Sequence, residues 1–268
     1  MRLACIHLPV FPLQVEVVDQ PLLAGRRVVV LGAGGRAEVV ACSRAAFQAG
    51  VREGMSPGQA RARVGDLIAL PGSPLRWREE LLALAGEIGA LAVPETGMDL
   101  SEALRGEGVV NHPALFLEVP TGQRSDRFGR RLLERVTARG MSGRVGIAAD
   151  RFTARAAART RGADPVTVVS RANAASFLAP LSIDLLPLRD EVRALLRAAG
   201  VLTLGEFAAL PPPSIDHRAG GGVDYQELAR GNGPAGSLAR SAALLTRLPA
   251  RPAPPRRRGD ERQLELAS

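Results

Sequence analysis

Two consecutive strand-then-helix patterns in the middle of the chain constrain its fold more than any other feature. The apolar run Leu115–Val119 precedes a helical pattern at Ser125–Arg139, and Arg144–Ala148 precedes a second helix that starts at Asp150. A further strand pattern follows at Val166–Val169. Because strands and helices that alternate in this way bury their apolar faces against each other, the order predicts an α+β body.

The rest of the chain adds elements on both sides of this body. On the N-terminal side we predict a strand, a hairpin and four helices. They are a strand at Leu3–Leu8, a helix near Leu13–Asp19, a hairpin of Arg26–Leu31 with Ala37–Cys42, short helices at Ser43–Ala49 and Ser56–Val64, and a long helix at Pro74–Leu91. Small helices near 171–178, 190–199, 203–209 and 224–230 predict a second, helical domain. Beyond about Gly231 the sequence turns to Gly, Pro, Ala and Arg, which predicts a flexible basic tail.

The positive charge is concentrated in one segment. The formal net charge is +8, no lysine occurs, and the segment from Arg124 to Arg171 holds twelve arginines and four acids, so it accounts for the whole excess. Two sets of arginines recur there at helical spacing and predict two parallel stripes: Arg124, Arg127, Arg131 and Arg135, then Arg151, Arg155 and Arg159. Arginine binds phosphate in a bidentate manner, so we expect these stripes to bind DNA or another polyanion.

Several classes of protein are disfavoured. No run of about 18 apolar residues and no signal-peptide pattern occurs, so we expect a cytoplasmic protein with no membrane partner. Cys5 and Cys42 lie in predicted core strands, which argues against a disulfide framework. His7, His112 and His217 lack zinc-binding spacing, and we expect neither a metal site nor a cofactor. His7 and His112 would meet only if their two strands pair.

A glycine-rich segment leaves one alternative open. Gly32–Gly35 follows a strand and fits the dinucleotide-binding pattern G-x-G-x-x-A. That site requires a helix starting at Gly34 and an acid about 20 residues further on. Glu53 is near that distance but lies in a turn-like sequence, and Val39–Cys42 is typical of a strand. We therefore favour a hairpin turn, and a nucleotide-cofactor enzyme remains the alternative.

Five segments resemble one known family. The segments are, in chain order, Ile6–Glu16, Val40–Met55, Leu115–Gly122, Val145–Arg155 and Leu186–Leu210. They are similar to the opening strand, the fingers, the L-D-V-T-G palm strand, the G-I-x-x-N-K-x-x-A-K helix start and the thumb of Y-family (UmuC-like) translesion DNA polymerases. The resemblance implies a right-hand fold with a ferredoxin-like palm at 1–10 and 72–165. It further implies fingers at 11–71, a helical thumb at 166–232 and a tail at 233–268, with no little-finger domain.

The chain departs from the family at the catalytic positions. The positions of the metal-binding carboxylates fall on His7, Pro9, Pro113 and Ala114. Since two-metal phosphoryl transfer needs oxygen ligands, we predict a pseudo-polymerase that is not an enzyme. The alternative is an active translesion polymerase with unusual metal ligands, for which the candidates are Glu95, Asp99, Glu102 and Glu118.

Within the family, the pattern is most similar to the catalytically inactive mutasome subunits ImuB and ImuY. That resemblance implies an accessory protein in DNA repair and SOS mutagenic translesion synthesis, associated with the nucleoid. Its expected partners are DNA, the sliding clamp and an error-prone C-family DNA polymerase. For clamp binding, the tail residues Gln263, Leu264 and Leu266 match the first four positions of the Q-L-x-L-F motif, with Ala267 at the fifth.

Overall fold

The computed structural model describes residues 1–18, 20–33, 37–91, 98–105, 108–160, 162–211 and 224–233. Its strands are β1 (Leu3–His7), β2 (Val28–Leu31), β3 (Val39–Cys42), β4 (Ile68–Pro71), β5 (Met98–Asp99), β6 (Leu104–Arg105), β7 (Gly108–Val109), β8 (Ala114–Glu118), β9 (Arg144–Ala148) and β10 (Val166–Val168). Its α-helices are α1 (Phe11–Val17), α2 (Arg44–Gln48), α3 (Pro57–Arg63), α4 (Pro74–Gly89), α5 (Ser125–Ala138), α6 (Arg151–Arg159), α7 (Ala174–Leu178), α8 (Asp190–Ala198), α9 (Leu204–Ala208) and α10 (Tyr225–Ala229).

A five-stranded sheet in the order β10-β9-β1-β8-β5 forms the centre of the molecule. Strand β1 lies between β8 and β9 and is antiparallel to both, whereas β9 and β10 are parallel. The predicted α+β body is confirmed, and the strand predicted at Arg144–Ala148 has those bounds. Val166–Val168, which we assigned to the thumb-like segment, instead forms an edge strand of this sheet. The other domain boundaries stay predictions.

The two faces of the sheet are covered by different helices. On one face, Ile6, Leu117 and Val145 pack in one apolar cluster with residues of α5 and α4. On the other face, Leu3, Cys5 and Phe116 pack against the alanines of α6. Because successive strand residues point to opposite faces, the sheet separates α5 from α6. The two predicted arginine stripes therefore do not form one surface, since periodicity defines the face of a helix but not the sheet face that it covers.

Helix α6 packs unusually close to the sheet. A Cβ atom built on Gly146 of β9 would lie 2.1 Å from the carbonyl oxygen of Ala154 and 2.4 Å from the backbone nitrogen of Ala158. The inner face of the helix carries small side chains, among them Ala154, Ala157 and Ala158, and all three are fully buried. Glycine below and alanine above thus let the backbone of α6 rest on β9.

A smaller sheet in the order β3-β2-β4 follows the first helix. Strands β2 and β3 are antiparallel, and the amide of Gly32 donates to the carbonyl of Glu38 at 2.8 Å. The predicted hairpin is confirmed, although residues 34–36 of its turn lie outside the described ranges. The alternative nucleotide-cofactor site is wrong, because the segment after the turn continues as strand β3 rather than as a helix.

The C-terminal described residues form a helical cluster. Leu178, Ile183, Leu204 and Phe207 form its buried core. Cys5 and Cys42 are buried and unbonded, as expected from the sequence. Of the helices in the described ranges, none is long and apolar enough to cross a membrane. The predicted tail from residue 234 onward and His217 lie outside the part of the chain that the structure describes.

Candidate nucleic-acid interface

The structure brings the four degenerate catalytic positions together at one end of the central sheet. His7, the last residue of β1, lies opposite Ala114 of β8 on one side and opposite Arg144 of β9 on the other. The next residue along, Leu8, donates its amide to the carbonyl of Pro113 at 3.1 Å, and Pro9 follows. Directly opposed residues share a face, so His7, Ala114 and Arg144 all point to the face covered by α6.

Two histidines meet at this point, as the pairing of their strands requires. The ring centroids of His7 and His112 are 5.9 Å apart. The Nδ1 atom of His112 accepts a hydrogen bond of 3.0 Å from the amide of Val10, a residue with a left-handed φ of 43°. The Nε2 atom of His112 lies 3.5 Å from the carboxylate of Glu53, which also accepts a hydrogen bond from Asn111. The contacts of Glu53 with His112 and Asn111 thereby join the residues before strand β8 to the segment between α2 and α3.

Burial and nearby cations keep His7 neutral. The pKa of His7 is lowered to about 3; burial is the largest cause, followed by His112 and the arginines Arg159, Arg144 and Arg155. At neutral pH the imidazole therefore carries no charge. The main electrostatic contributions to the pKa all come from histidine or arginine, so the end of β1 lies in a positive potential.

At the other end of α6, the buried carboxylate of Asp99 and the partly buried one of Glu102 are paired with arginines. Arg151 bonds both Asp99 and Glu102, and its guanidinium stacks 3.9 Å from the centre of the Phe116 ring. Arg155 binds Glu102 at 2.9 Å. Asp99 is only 5% exposed, and it lies in register with Phe116 on the α6 face of the sheet. The sequence had suggested Asp99 and Glu102 only as metal ligands; their role as partners of the α6 arginines was missed.

The predicted DNA-binding arginines differ in their surroundings. Arg159 is exposed, and no acidic side chain among the described residues forms an ion pair with it. On the opposite sheet face, Arg124 pairs with Asp126 and Arg131 bonds Gln123, whereas Arg127 and Arg135 are exposed. One surface therefore cannot contain both predicted stripes.

The donor set at the strand ends does not fit the two magnesium ions that the family resemblance implies. Ala114 and Pro113 offer no side-chain ligand, and His7 offers a neutral nitrogen rather than the oxygen that magnesium prefers. The carboxylates of Asp99 and Glu102 are engaged by arginines at the opposite end of α6. Nowhere in the described ranges do three His, Cys, Asp or Glu side chains group in a way that could hold a metal ion.

The remaining residues that the sequence singled out lie elsewhere. Glu118 lies in register with Leu3 at the far end of β8, away from His7. Glu95 and the tail residues Gln263, Leu264 and Leu266 lie outside the described residues. Arg144 and Glu53 were not predicted as site residues, because only the pairing of β1 with β9 and the packing of the smaller sheet bring them to this end.

Comparisons with known proteins agree with the fold. The family model described as impB/mucB/samB matches residues 6–159. The chain is 30% identical over 230 residues to DNA polymerase IV of Methanoculleus marisnigri, covering 81% of this chain and 60% of that protein. It is 29% identical over 210 residues to DNA polymerase IV of Streptomyces coelicolor, covering 76% and 42%. The structure of DinB from Sulfolobus solfataricus superposes with a TM-score of 0.63 at 19% identity, over 93% of this chain and 69% of that one.

The palm-like sheet, its covering helices and these superpositions define a Y-family polymerase-like protein. The chain belongs to the impB/mucB/samB family, whose model matches more than half of its residues. It spans 42–63% of the length of the first three curated relatives. Its closeness to ImuB and ImuY within the family stays a prediction.

The comparisons correct one prediction. We predicted from His7, Pro9, Pro113 and Ala114 that the chain is not an enzyme. The curated relatives, which are 24–30% identical to it, carry the name of an enzyme, DNA polymerase IV. The prediction of a pseudo-polymerase is wrong by this comparison. The substitutions describe the strand ends of this chain and do not by themselves decide what the protein does.

Proposed function

We propose that the chain acts in DNA-damage tolerance, as a translesion-synthesis protein that binds primer–template DNA. The observation that carries the proposal is the cationic surface at the C-terminal end of α6, beside the strand ends of a Y-family palm. Exposed Arg159 has no described acidic partner, and Arg155 shares a single carboxylate, that of Glu102, with Arg151. Arginine side chains in this arrangement suit the phosphates of a nucleic-acid strand.

The proposal assigns the duplex to the α6 side of the sheet. Helix α5, with Arg124, Arg127, Arg131 and Arg135, lies on the other face. A rigid duplex that rests on α6 cannot also reach α5 through the sheet. In this proposal the arginines of α6 contact the primer–template, and those of α5 do not.

Replacing Arg155 and Arg159 together by glutamine is expected to weaken binding of a primer–template duplex about tenfold or more. Each arginine that loses a phosphate contact loses a charge-assisted hydrogen bond, and this loss affects all DNA sequences alike. Fluorescence anisotropy of a labelled duplex at fixed salt measures the effect. The double variant Arg127→Gln/Arg135→Gln removes the same charge from the opposite face and should bind DNA with a Kd close to that of the parent. Equal losses in both variants would contradict the assignment.

We also propose that the protein serves as an adaptor, which connects an error-prone C-family DNA polymerase and DNA to the sliding clamp. The support is the tail sequence Gln263–Leu266, whose two leucines suit an apolar pocket while the glutamine forms hydrogen bonds. SOS regulation and association with the nucleoid belong to the same proposal.

The variant Leu264→Ala/Leu266→Ala should lose measurable binding to the sliding clamp of the same organism. Both leucines supply the apolar surface that a pocket would bury. Surface plasmon resonance with immobilised clamp measures the loss. The change Glu265→Ala, at the variable position between them, is the matched control and should leave clamp binding intact. Undiminished binding by the double variant would refute this use of the tail.

Templated DNA synthesis by the chain itself is the second candidate, and the names of the curated relatives favour it. Asp99 and Glu102 are the described metal-ligand candidates on the α6 face of the sheet, and arginines bind both. Magnesium-dependent incorporation opposite a template lesion by the purified protein, lost in Asp99→Asn, is the measurement that would establish it.

A further inference from the structure

The end of β1 forms a small site that has positively charged side chains where a metal-binding site would have negatively charged ones. His7 stands between Ala114 and Arg144, and all three side chains point to the face covered by α6. Ala114 offers no polar side chain on one side of His7, and Arg144 on the other side is a cation. The site therefore combines a neutral ring, a small residue and a cation.

Helix α6 brings a second cation to the same place. Gly146, two residues beyond Arg144 on β9, lies directly beneath the backbone of Ala154 and Ala158. The last turn of the helix is thereby fixed over this half of β9, and Arg159 is its final residue. Arg159 and Arg144 consequently converge on His7, and both lower its pKa.

Neither cation forms an ion pair with a carboxylate in the described part of the chain. Arg144 donates to two backbone carbonyls, those of Gly162 at 3.2 Å and Asp164 at 2.7 Å, and its buried Nε atom has no partner. The Asp164 carboxylate is held by Arg130 and by the amide of Val166, and Arg144 is only the last of the causes that lower its pKa.

The acids on the α6 face of the sheet and next to His112 are also engaged. Glu102 binds Arg151 and Arg155 towards the start of α6, and Asp99 binds Arg151. Glu53 lies beyond His112 and contacts that ring and Asn111. Arg144 and Arg159 thus retain an excess of positive charge at the site.

We propose that this site binds a phosphate group directly through Arg144 and Arg159, without a bridging divalent cation. The guanidinium groups would supply the charge and the bidentate hydrogen bonds that phosphate oxygens accept. His7, neutral and adjacent, would contribute a further ring N–H donor. The phosphate belongs either to a free nucleotide or to a nucleic-acid strand, since both present the same oxygens. The inference rests on the proposed function only for the source of the phosphate.

Inorganic pyrophosphate is the probe that tests the site without DNA. Isothermal titration calorimetry in the presence of EDTA should show binding by the full chain. Arg159→Gln should weaken this binding about tenfold, and Arg144→Gln should weaken it as well. Arg127→Gln, on the opposite face of the sheet, should not. Circular dichroism checks that each variant is folded, and exposed Arg159 is the position least tied to folding.

Binding that disappears in EDTA would overturn the proposal, as would equal affinity in Arg159→Gln and Arg127→Gln. Competition then identifies the source. Displacement of pyrophosphate by a deoxynucleoside triphosphate but not by a single-stranded oligonucleotide supports a nucleotide phosphate, and displacement by the oligonucleotide supports a strand phosphate. If the protein binds pyrophosphate but not a DNA duplex, the proposed function is rejected and this site is kept. If it binds the duplex but not pyrophosphate, only the site is rejected.

Discussion

Alanine at position 146 is expected to destabilise the protein by at least about 3 kcal/mol. The added Cβ atom would lie 2.1 Å from the carbonyl oxygen of Ala154 and 2.4 Å from the nitrogen of Ala158. Both are backbone atoms, so no side-chain rotation relieves the overlap. Helix α6 would have to move away from β9 and would open the apolar layer between helix and sheet.

Urea unfolding followed by circular dichroism measures this loss. The matched control is Gly86→Ala in the interior of α4, where a Cβ atom would meet nothing within 4 Å. Since alanine favours a helix over glycine by up to about 1 kcal/mol, the control should be as stable as the parent or more stable. A Gly146→Ala variant with the stability of the parent would show that α6 does not rest on β9 as described.

The change Arg151→Met is expected to cost roughly 3 kcal/mol at pH 7. Methionine keeps much of the side-chain length but removes the cation that pairs with Asp99 and Glu102. The carboxylate of Asp99 would then be buried with only the amide of Ser101 as a described hydrogen-bond donor from the backbone. A buried charge without a counter-charge is expensive, and this cost exceeds the packing energy that the methionine restores.

The loss should depend on pH in a defined direction. Burial raises the pKa of Asp99, but hydrogen bonds from Ser101 and Arg151 outweigh it and hold the pKa below its ordinary value. A lowered pKa stabilises the folded protein above the unfolded-state pKa of about 4, and this contribution is lost as pH falls through the folded-state value. In the variant the hydrogen bond and the charge of Arg151 no longer lower the pKa of Asp99, so this pKa rises. Protonation then relieves the penalty, so the difference between parent and variant should shrink from pH 5 to pH 3.

An exposed ion pair provides the control for this prediction. Arg130 and Asp164 pair at 2.7 Å with half of each side chain exposed. Exposed pairs contribute little, so Arg130→Met should cost less than about 1 kcal/mol and change little in the pH range that affects Arg151→Met. Urea unfolding at several pH values compares the two variants. A pH-independent cost for Arg151→Met would contradict the role given to Asp99.

The sequence predicted those elements whose pattern is local and long. Arg144–Ala148 has strand bounds identical to the prediction, and α5 ends one residue before the predicted Arg139. Four short strands, β4 to β7, were missed, and two of them have partners that are distant in sequence. Ile68–Pro71 ends on a proline and pairs with β2, and Met98–Asp99 has only two residues and pairs with β8. Such strands are defined by tertiary pairing rather than by periodicity.

The candidate site was predictable only in part, for a similar reason. The meeting of His7 with His112 follows once β1 pairs with β8, and the sequence analysis made that condition explicit. The convergence of Arg144 and Arg159 requires the pairing of β1 with β9 and the packing of α6 on Gly146. A glycine in a strand followed by an alanine-rich helix was the one signal of this close approach.

The placement of α5 and α6 on opposite faces of the sheet has a consequence for how the two helices evolve. A layer of buried apolar side chains separates their arginines, and the two apolar clusters that α5 and α6 join share no side chain among the described residues. Substitutions at such distant sites add in free energy rather than interact. Selection can therefore change the arginines of one helix, and so the molecule that this helix binds. The affinity of the other helix for its own ligand stays the same.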